Sequence, residues 1–121
     1  MNHPVVLITG ASSGVGLELL KLLLGRPYRI VATARSSSIG RFEELGILPS
    51  DSLLIEALDV ANVGEHAAVI ERVIATWGQI DVLVNNAGIS YRAAVEDMSE
   101  QEESEQLTVN YLGPLSLIRL T

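Results

Sequence analysis

A glycine-rich stretch near the amino terminus carries the clearest chemical signal in the sequence. It follows the apolar run Val5–Ile8 and precedes an apolar helical run that ends near Leu24. Strand, glycine turn and helix in this order are typical of a nucleotide-phosphate site, because the first helical N–H groups and the positive end of the helix dipole point at the ligand. The loop residues that we expect at this site are Gly10, Ser12, Ser13, Gly14, Val15 and Gly16. A tight turn that binds nothing is the alternative.

Each glycine of this loop has a distinct expected role. Gly10 permits a sharp exit from the strand, and Gly14 lets a pyrophosphate approach the backbone. Gly16 lets the helix lie close to the sheet. The loop therefore predicts a dinucleotide site at the start of the first helix.

A second candidate contact follows the next β-branched run, Arg29–Ala34. In a dinucleotide fold the end of the second strand lies beside the adenosine ribose, where an acid binds the 2′-hydroxyl and an arginine pairs with a 2′-phosphate. This sequence has Arg35 there and no acid before Glu43. We therefore expect NADP to be preferred over NAD, with a hydroxyl of Ser12 or Ser13 as a further contact. The alternative is that Arg35 is a solvated loop charge.

Four strands and four longer helical runs must position these residues. The predicted strands are 5–8, 29–34, 53–58 and 80–84, and the predicted helices are 14–24, 39–46, 63–77 and a last one that starts after Ser99. Asn62 with Glu65, and Ser99 with Glu102, have the spacing of capping boxes. A polar loop is expected from Ile89 to Met98, a bend at Gly113-Pro114, and packing at a helix end for Trp77.

Composition excludes several other classes of protein. The chain has 121 residues, a net charge of −7 and no cysteine, so it has at most one domain, no disulfide and little affinity for nucleic acid or an anionic membrane. The two histidines, His3 and His66, are too few and too far apart to suggest a metal site, and His66 is expected to be solvent-exposed on its helix. No signal peptide precedes the first strand, so a cytoplasmic setting is expected.

Two motifs carry a resemblance to a known family. Thr9 to Gly16 resembles the T-G-x-x-x-G-x-G signature of the classical short-chain dehydrogenases/reductases, and GQIDVLVNNAG resembles a second motif of that family. The resemblance implies that Asn86, Ala87 and Gly88 lie against the cofactor, with the small residues leaving room for its ribose and the asparagine amides bridging neighbouring strands.

Two further positions match the family in order and spacing. Asp59 and Val60 are similar to the pair that holds the adenine ring, with the carboxylate accepting from the adenine amino group. Asn110 matches the asparagine that organises a proton-relay water in the family, and it is our candidate catalytic residue. Without the resemblance, Asp59 could merely end a strand, and Asn110 could be a helix kink or cap.

The resemblance implies an α/β fold, a Rossmann-like doubly wound parallel sheet whose first half has strand order 3-2-1-4. It also implies an oxidoreductase that interconverts an alcohol and a ketone or aldehyde, acts on a small-molecule substrate and forms a homo-oligomer when full length. The local sequence around the first two strands is similar to that of the steroid- and retinoid-type members of the family.

The family's catalytic serine and Tyr-x-x-x-Lys are missing, because no tyrosine has a lysine four residues on and Lys21 is the only lysine. We therefore interpret residues 1–121 as the amino-terminal part of one NAD(P)-binding domain, ending inside the helix that carries Asn110. A non-catalytic nucleotide-binding or interaction module is the alternative. An unrelated flavodoxin-like phosphate binder would leave the NNAG block and Asn110 unexplained.

Overall fold

Four short parallel strands form the centre of the fold, in a computed structural model that describes residues 3–88 and 98–121. In chain order the strands are β1 (Val5–Ile8), β2 (Arg29–Ala34), β3 (Leu53–Ala57) and β4 (Val82–Val84). The α-helices are α1 (Gly14–Leu23), α2 (Arg41–Glu44), α3 (His66–Trp77), α4 (Glu100–Leu107) and α5 (Gly113–Leu120). The predicted loop at 89–98 lies, except for Met98, outside the described residues.

The strands lie in the order β3-β2-β1-β4, which confirms the predicted doubly wound arrangement 3-2-1-4. In the middle of the sheet Leu7 is in register with Val31 on one side and Leu83 on the other. Runs of β-branched and apolar residues suit strands of this kind, because helices cover both faces of a parallel sheet.

Helices on both faces divide the core into two layers. On one face Leu17 and Leu20 of α1 and Phe42 of α2 pack against alternate strand residues such as Ile8. The buried residues of the opposite layer are Val5, Leu7, Val31, Leu58, Val69, Ile70, Val73 and Leu117. Successive residues of β1 therefore point into different layers, as the two-residue period of a strand requires. Trp77 packs against the second layer, as predicted.

The start of α3 differs from the sequence prediction in two ways. The Asn62 side chain makes no cap hydrogen bond, and it is the Asn62 carbonyl that accepts from the Glu65 N–H at 3.0 Å. A short 3₁₀ turn, Val63–Glu65, takes the place of the predicted capping box. The exposure predicted for His66 is also wrong, since this side chain is fully buried. The reason is that α5 packs over the beginning of α3.

The last helical region contains a π turn. Ser99 Oγ accepts from the Glu102 N–H at 3.1 Å, so the predicted N-cap is confirmed. Between α4 and α5 the segment Thr108–Leu112 is π-helical, and the Gly113 N–H bonds the Thr108 carbonyl. Gly113 itself has helical angles (φ −64°, ψ −53°), so the irregularity expected at Gly113-Pro114 takes the form of a widened turn before it. No helix in the described part of the chain is long and apolar enough to cross a bilayer.

Candidate functional site

The glycine loop joins β1 to α1 with two left-handed residues. Gly10 has φ +62° and Gly14 has φ +56°, a backbone region that only glycine adopts without strain. Ser13, the residue before α1, is extended and its hydroxyl does not cap the helix. The first N–H groups of α1 therefore have no side-chain cap and can bind an anion.

A buried threonine holds this loop against the segment that follows β4. Thr9 Oγ1 accepts from the backbone N–H groups of Asn86 and Ala87, both at 3.0 Å. The Asn86 side-chain amide donates to the Gly10 carbonyl at 3.1 Å. These bonds give the predicted asparagine bridge between neighbouring strands a definite geometry. The hydrogen bonds of Thr9 were not predicted, because their donors lie 77 and 78 positions later in the chain.

Gly16 packs against the glycine loop on the side away from the cleft and does not line the cleft. It is buried, and a Cβ built on it would overlap the Asn86 amide nitrogen and the Gly10 carbonyl oxygen. The prediction that Gly16 allows close packing agrees with this geometry. The group that approaches it is the carbonyl of Gly10 together with the Asn86 side chain.

Two further side chains fix the course of the loop. Arg41, the first residue of α2, donates from Nε to the Ser12 carbonyl at 2.7 Å. Thr33 is fully buried in β2 and donates from Oγ1 to the Ile8 carbonyl at 3.0 Å, while its own carbonyl accepts from the Ala11 N–H at 2.9 Å. Sequence reasoning missed both residues, because each acts on a loop more than twenty positions away.

The ends of β2 and β3 form the other side of the site. Arg35 directly follows β2 and is exposed, and Ser38 lies in the turn after it. After β3, Asp59 Oδ1 accepts from the Ala61 N–H at 2.9 Å, which closes a tight turn around the buried Val60. The cation and the acid predicted for the adenosine end are therefore brought to the same edge of the sheet.

These elements enclose a cleft of about 380 Å³ at the carboxyl ends of the strands. The predicted site residues that line it are Gly10, Ser12, Ser13, Gly14, Val15, Arg35, Asp59, Val60, Asn86, Ala87 and Gly88. Lining residues that sequence reasoning missed are Ala34, Ser38, Leu58, Ala61, Glu105 and Val109. For Val109 a signal was available, since it precedes Asn110 in a helix already expected to face the site.

Asn110 lies beside the cleft and not in its wall. It lines a separate shallow depression with Met98 and Tyr111, next to the end of α4. A Cβ added to Gly88 would lie 3.2 Å from Asn110 Oδ1, so the asparagine borders the far end of the NNAG loop. Its catalytic role stays a prediction.

Comparison with known proteins agrees with this geometry. A family model described as short chain dehydrogenase matches residues 4–121. The chain belongs to the short-chain dehydrogenase family. The expected fold and the family resemblance are thereby confirmed together.

Individual members of the family are similar over the whole chain. Human dehydrogenase/reductase SDR family member 7 is 37% identical over 124 residues, which cover 98% of this chain and 37% of that protein. A short-chain dehydrogenase from Streptomyces avermitilis superposes with a TM-score of 0.89 at 31% identity, over 98% of this chain and 43% of the other. A metagenomic short-chain oxidoreductase in complex with NADP superposes with a TM-score of 0.86 at 29% identity, over 99% of this chain and 55% of the other.

The match covers nearly all of this chain but less than half of each curated relative. The chain spans about two fifths of the length of the curated relatives it matches. The matched portion contains the strand–glycine–helix unit and the NNAG loop, so the family membership rests on the half of the fold that forms the cleft described above.

Proposed function

We propose that this chain is the dinucleotide-binding part of an NADP(H)-dependent oxidoreductase that interconverts an alcohol and a ketone or aldehyde. The observation that carries the proposal is the cleft at the carboxyl ends of the strands, with the uncapped start of α1 at one side and Arg35 at the other. Open α/β sheets bind their ligands at this edge, where the strand order reverses. When bound, the nicotinamide would supply or accept the hydride.

The residues of the cleft fit the two ends of an adenine dinucleotide. Ser13, Gly14 and Val15 bring backbone N–H groups to the position of a pyrophosphate, and the left-handed Gly14 has open space where a Cβ would stand. The turn that contains Asp59 and Val60 lines the cleft and offers a carboxylate and an apolar side chain to an adenine ring. In this proposal these groups bind and orient the cofactor and carry out no proton transfer.

Arg35 supports NADP over NAD. It stands directly after β2, it is exposed toward the cleft, and no described acidic side chain forms an ion pair with it. Ser38 lines the same corner, and its N–H bonds the Arg35 carbonyl at 2.8 Å, which sets the turn that presents the guanidinium. A guanidinium in this place pairs with a 2′-phosphate in two parallel hydrogen bonds.

Replacing Arg35 by alanine is expected to remove most of the preference for NADP. An arginine–phosphate pair contributes about 1–3 kcal/mol, so NADP affinity should fall roughly tenfold or more while NAD affinity changes little. Calorimetric titration with both cofactors measures this difference. Arg26→Ala is the matched control, because it removes the same charge from the exposed turn after α1 at the opposite edge of the sheet. Equal affinities for the two cofactors in the unmutated chain would refute the NADP assignment.

The catalytic half is proposed to lie in a longer polypeptide. The tyrosines are Tyr28, Tyr91 and Tyr111, and none precedes a lysine by four positions. Without that acid/base pair, we expect the 121-residue chain to show no carbonyl reduction even where it retains nucleotide affinity. β4 is one of the two edge strands of the described sheet. Its first residue, Val82, is 45% exposed, which is compatible with a further strand beside β4.

Reading the coding sequence past Thr121 tests this part of the proposal directly. We expect a β-branched strand, a serine near its end and Tyr-x-x-x-Lys about a dozen residues later, as the family resemblance implies. A turnover assay on the purified 121 residues with NADPH and a panel of carbonyl compounds is the companion measurement. A stop codon after Thr121, with a cooperatively folding monomer that binds nucleotide, would favour the non-catalytic module instead.

A further inference from the structure

One fully buried polar side chain is not used by the proposed function. His66 begins α3, and both nitrogens of its ring have partners. Nε2 lies 3.1 Å from the Asp59 carbonyl oxygen, and Nδ1 lies 3.0 Å from Ser116 Oγ on α5. The ring therefore joins the end of β3, the start of α3 and the last helix.

The partners determine where the ring proton sits. A carbonyl oxygen only accepts hydrogen bonds, so Nε2 carries the proton and donates to Asp59. In the neutral ring Nδ1 then accepts from the Ser116 hydroxyl. The tautomer is thus assigned from the hydrogen-bond network.

The carbonyl that His66 holds belongs to the turn at the adenosine end of the cleft. In the same turn Asp59 Oδ1 accepts from the Ala61 N–H, and Val60 packs against Gly113 of α5. Three groups therefore hold the turn: the Asp59 carboxylate bonds its own backbone, His66 bonds the Asp59 carbonyl, and α5 packs on Val60. The same carbonyl also accepts from the Asn62 N–H at 2.9 Å. Loss of the Nε2–H donor would leave it with this one partner beside a buried side chain, and the turn would relax toward a position in which the carbonyl reaches water or another donor.

We propose that His66 is a positioning residue, which holds the Asp59–Val60–Ala61 turn in the shape that receives the adenine of the cofactor. The inference rests on the proposed nucleotide binding at this cleft. Its specific content is that the Nε2 donor matters for adenine affinity, whereas the link from Nδ1 to Ser116 matters little.

Three variants of the 121-residue chain distinguish the contributions of the two ring nitrogens to ADP affinity. In His66→Gln the amide nitrogen reaches the position of Nε2 and can still donate to Asp59, so ADP affinity should stay within about threefold of the unmutated chain. In His66→Asn the shorter side chain reaches only the position of Nδ1, so ADP affinity should fall about tenfold. Ser116→Ala removes the other partner, and we expect a change of less than about threefold.

Inorganic pyrophosphate is the probe that distinguishes positioning from general damage. It binds the glycine loop and has no adenine, so its affinity should be the same in all variants. A variant that is merely destabilised would bind both ADP and pyrophosphate more weakly. Rescue of ADP affinity by His66→Gln, together with an unchanged pyrophosphate affinity in His66→Asn, is the expected result.

The unmutated chain supplies a second measurement, which decides the matter if His66→Asn fails to fold. Coupling between two sites is reciprocal. If the bond from His66 Nε2–H to the Asp59 carbonyl raises the affinity for adenine, bound adenine must stabilise that bond by the same factor. Exchange of the His66 ring N–H with solvent, followed by NMR, should slow about tenfold on saturation with ADP and stay constant with pyrophosphate. His3→Ala assigns the ring signals, because these are the two histidines of the chain.

Different results would contradict the positioning role of His66 and nucleotide binding at the cleft. No binding of ADP or NADP to the unmutated chain would overturn both. Normal binding to the unmutated chain, with His66→Asn equal to it or with a ring exchange rate indifferent to ADP, would overturn the positioning role and leave the nucleotide site intact.

Discussion

Replacing Gly16 by alanine is expected to lower the free energy of unfolding by about 3 kcal/mol and to abolish measurable nucleotide binding. A Cβ at this position would overlap the Gly10 carbonyl oxygen and the Asn86 amide nitrogen. These two atoms are hydrogen-bonded to each other at 3.1 Å, so neither can move without breaking the bridge between the glycine loop and the NNAG loop. The substitution would therefore displace the backbone that lines the cleft.

Urea unfolding followed by the fluorescence of Trp77, the single tryptophan, measures the first effect, and NADP calorimetry measures the second. Gly40→Ala is the matched control. Gly40 has φ −66° and open space around a Cβ, so this change should leave stability within about 0.5 kcal/mol of the unmutated chain or raise it slightly. If Gly16→Ala unfolded at the same urea concentration as Gly40→Ala, the proposed close contact would be wrong.

The second large effect is expected at Gly113, where alanine should destabilise a helix that it would ordinarily stabilise. Gly113 has helical angles, and a helical glycine changed to alanine usually gains about 1 kcal/mol. Here a Cβ would overlap the Val60 carbonyl oxygen and Val60 Cγ1. We expect a net loss of about 3 kcal/mol, because α5 would have to move off the turn after β3.

Thermal unfolding of Gly113→Ala should show a midpoint about 10 °C lower than that of the unmutated chain. The double variant Gly113→Ala, Val60→Ala tests the cause, since removal of the valine methyls relieves one overlap and leaves the one with the carbonyl. Partial recovery is therefore expected. Gly64→Ala, whose Cβ would meet only Asn62 Oδ1 at 3.8 Å, is the control for a glycine in a short helical turn. A stabilised Gly113→Ala would show that α5 does not pack closely on Val60.

Much of the fold could be predicted from local pattern. The runs Val5–Ile8 and Arg29–Ala34 are short, β-branched and bounded by turn residues, so their strands were predicted with the bounds that the structure has. The third strand was predicted one residue too long at its end, and the fourth two residues too long at its start. Backbone bonds between neighbouring strands continue past these bounds, since the Leu58 N–H donates to the Ala34 carbonyl and the Asp81 N–H to the Val5 carbonyl, both at 2.9 Å. Glycine spacing predicted the turn before α1, because few other residues can supply φ +62° at Gly10.

The clearest error arose where a side chain is bonded to a distant part of the chain. His66 is a polar residue that directly follows Glu65 at the start of a helix, and the local sequence places it in solvent. Its burial depends on α5, whose Ser116 lies 50 positions later. The capping box predicted for Asn62 fails for a local reason, since the chain enters α3 through a 3₁₀ turn in which the Asn62 carbonyl already accepts the Glu65 N–H.

By itself the sequence determined the family, the strand–glycine–helix unit and most of the residues that line the cleft, because these depend on residue types at short, fixed spacings. Only the tertiary structure decided how the cleft is held together. Thr9 bonds an amide 77 positions away and Arg41 bonds a carbonyl 29 positions away. Neither pairing has a signature in sequence, because the parallel sheet sets which loops meet at its carboxyl edge, and that edge assembles only when residues far apart in the chain come into register.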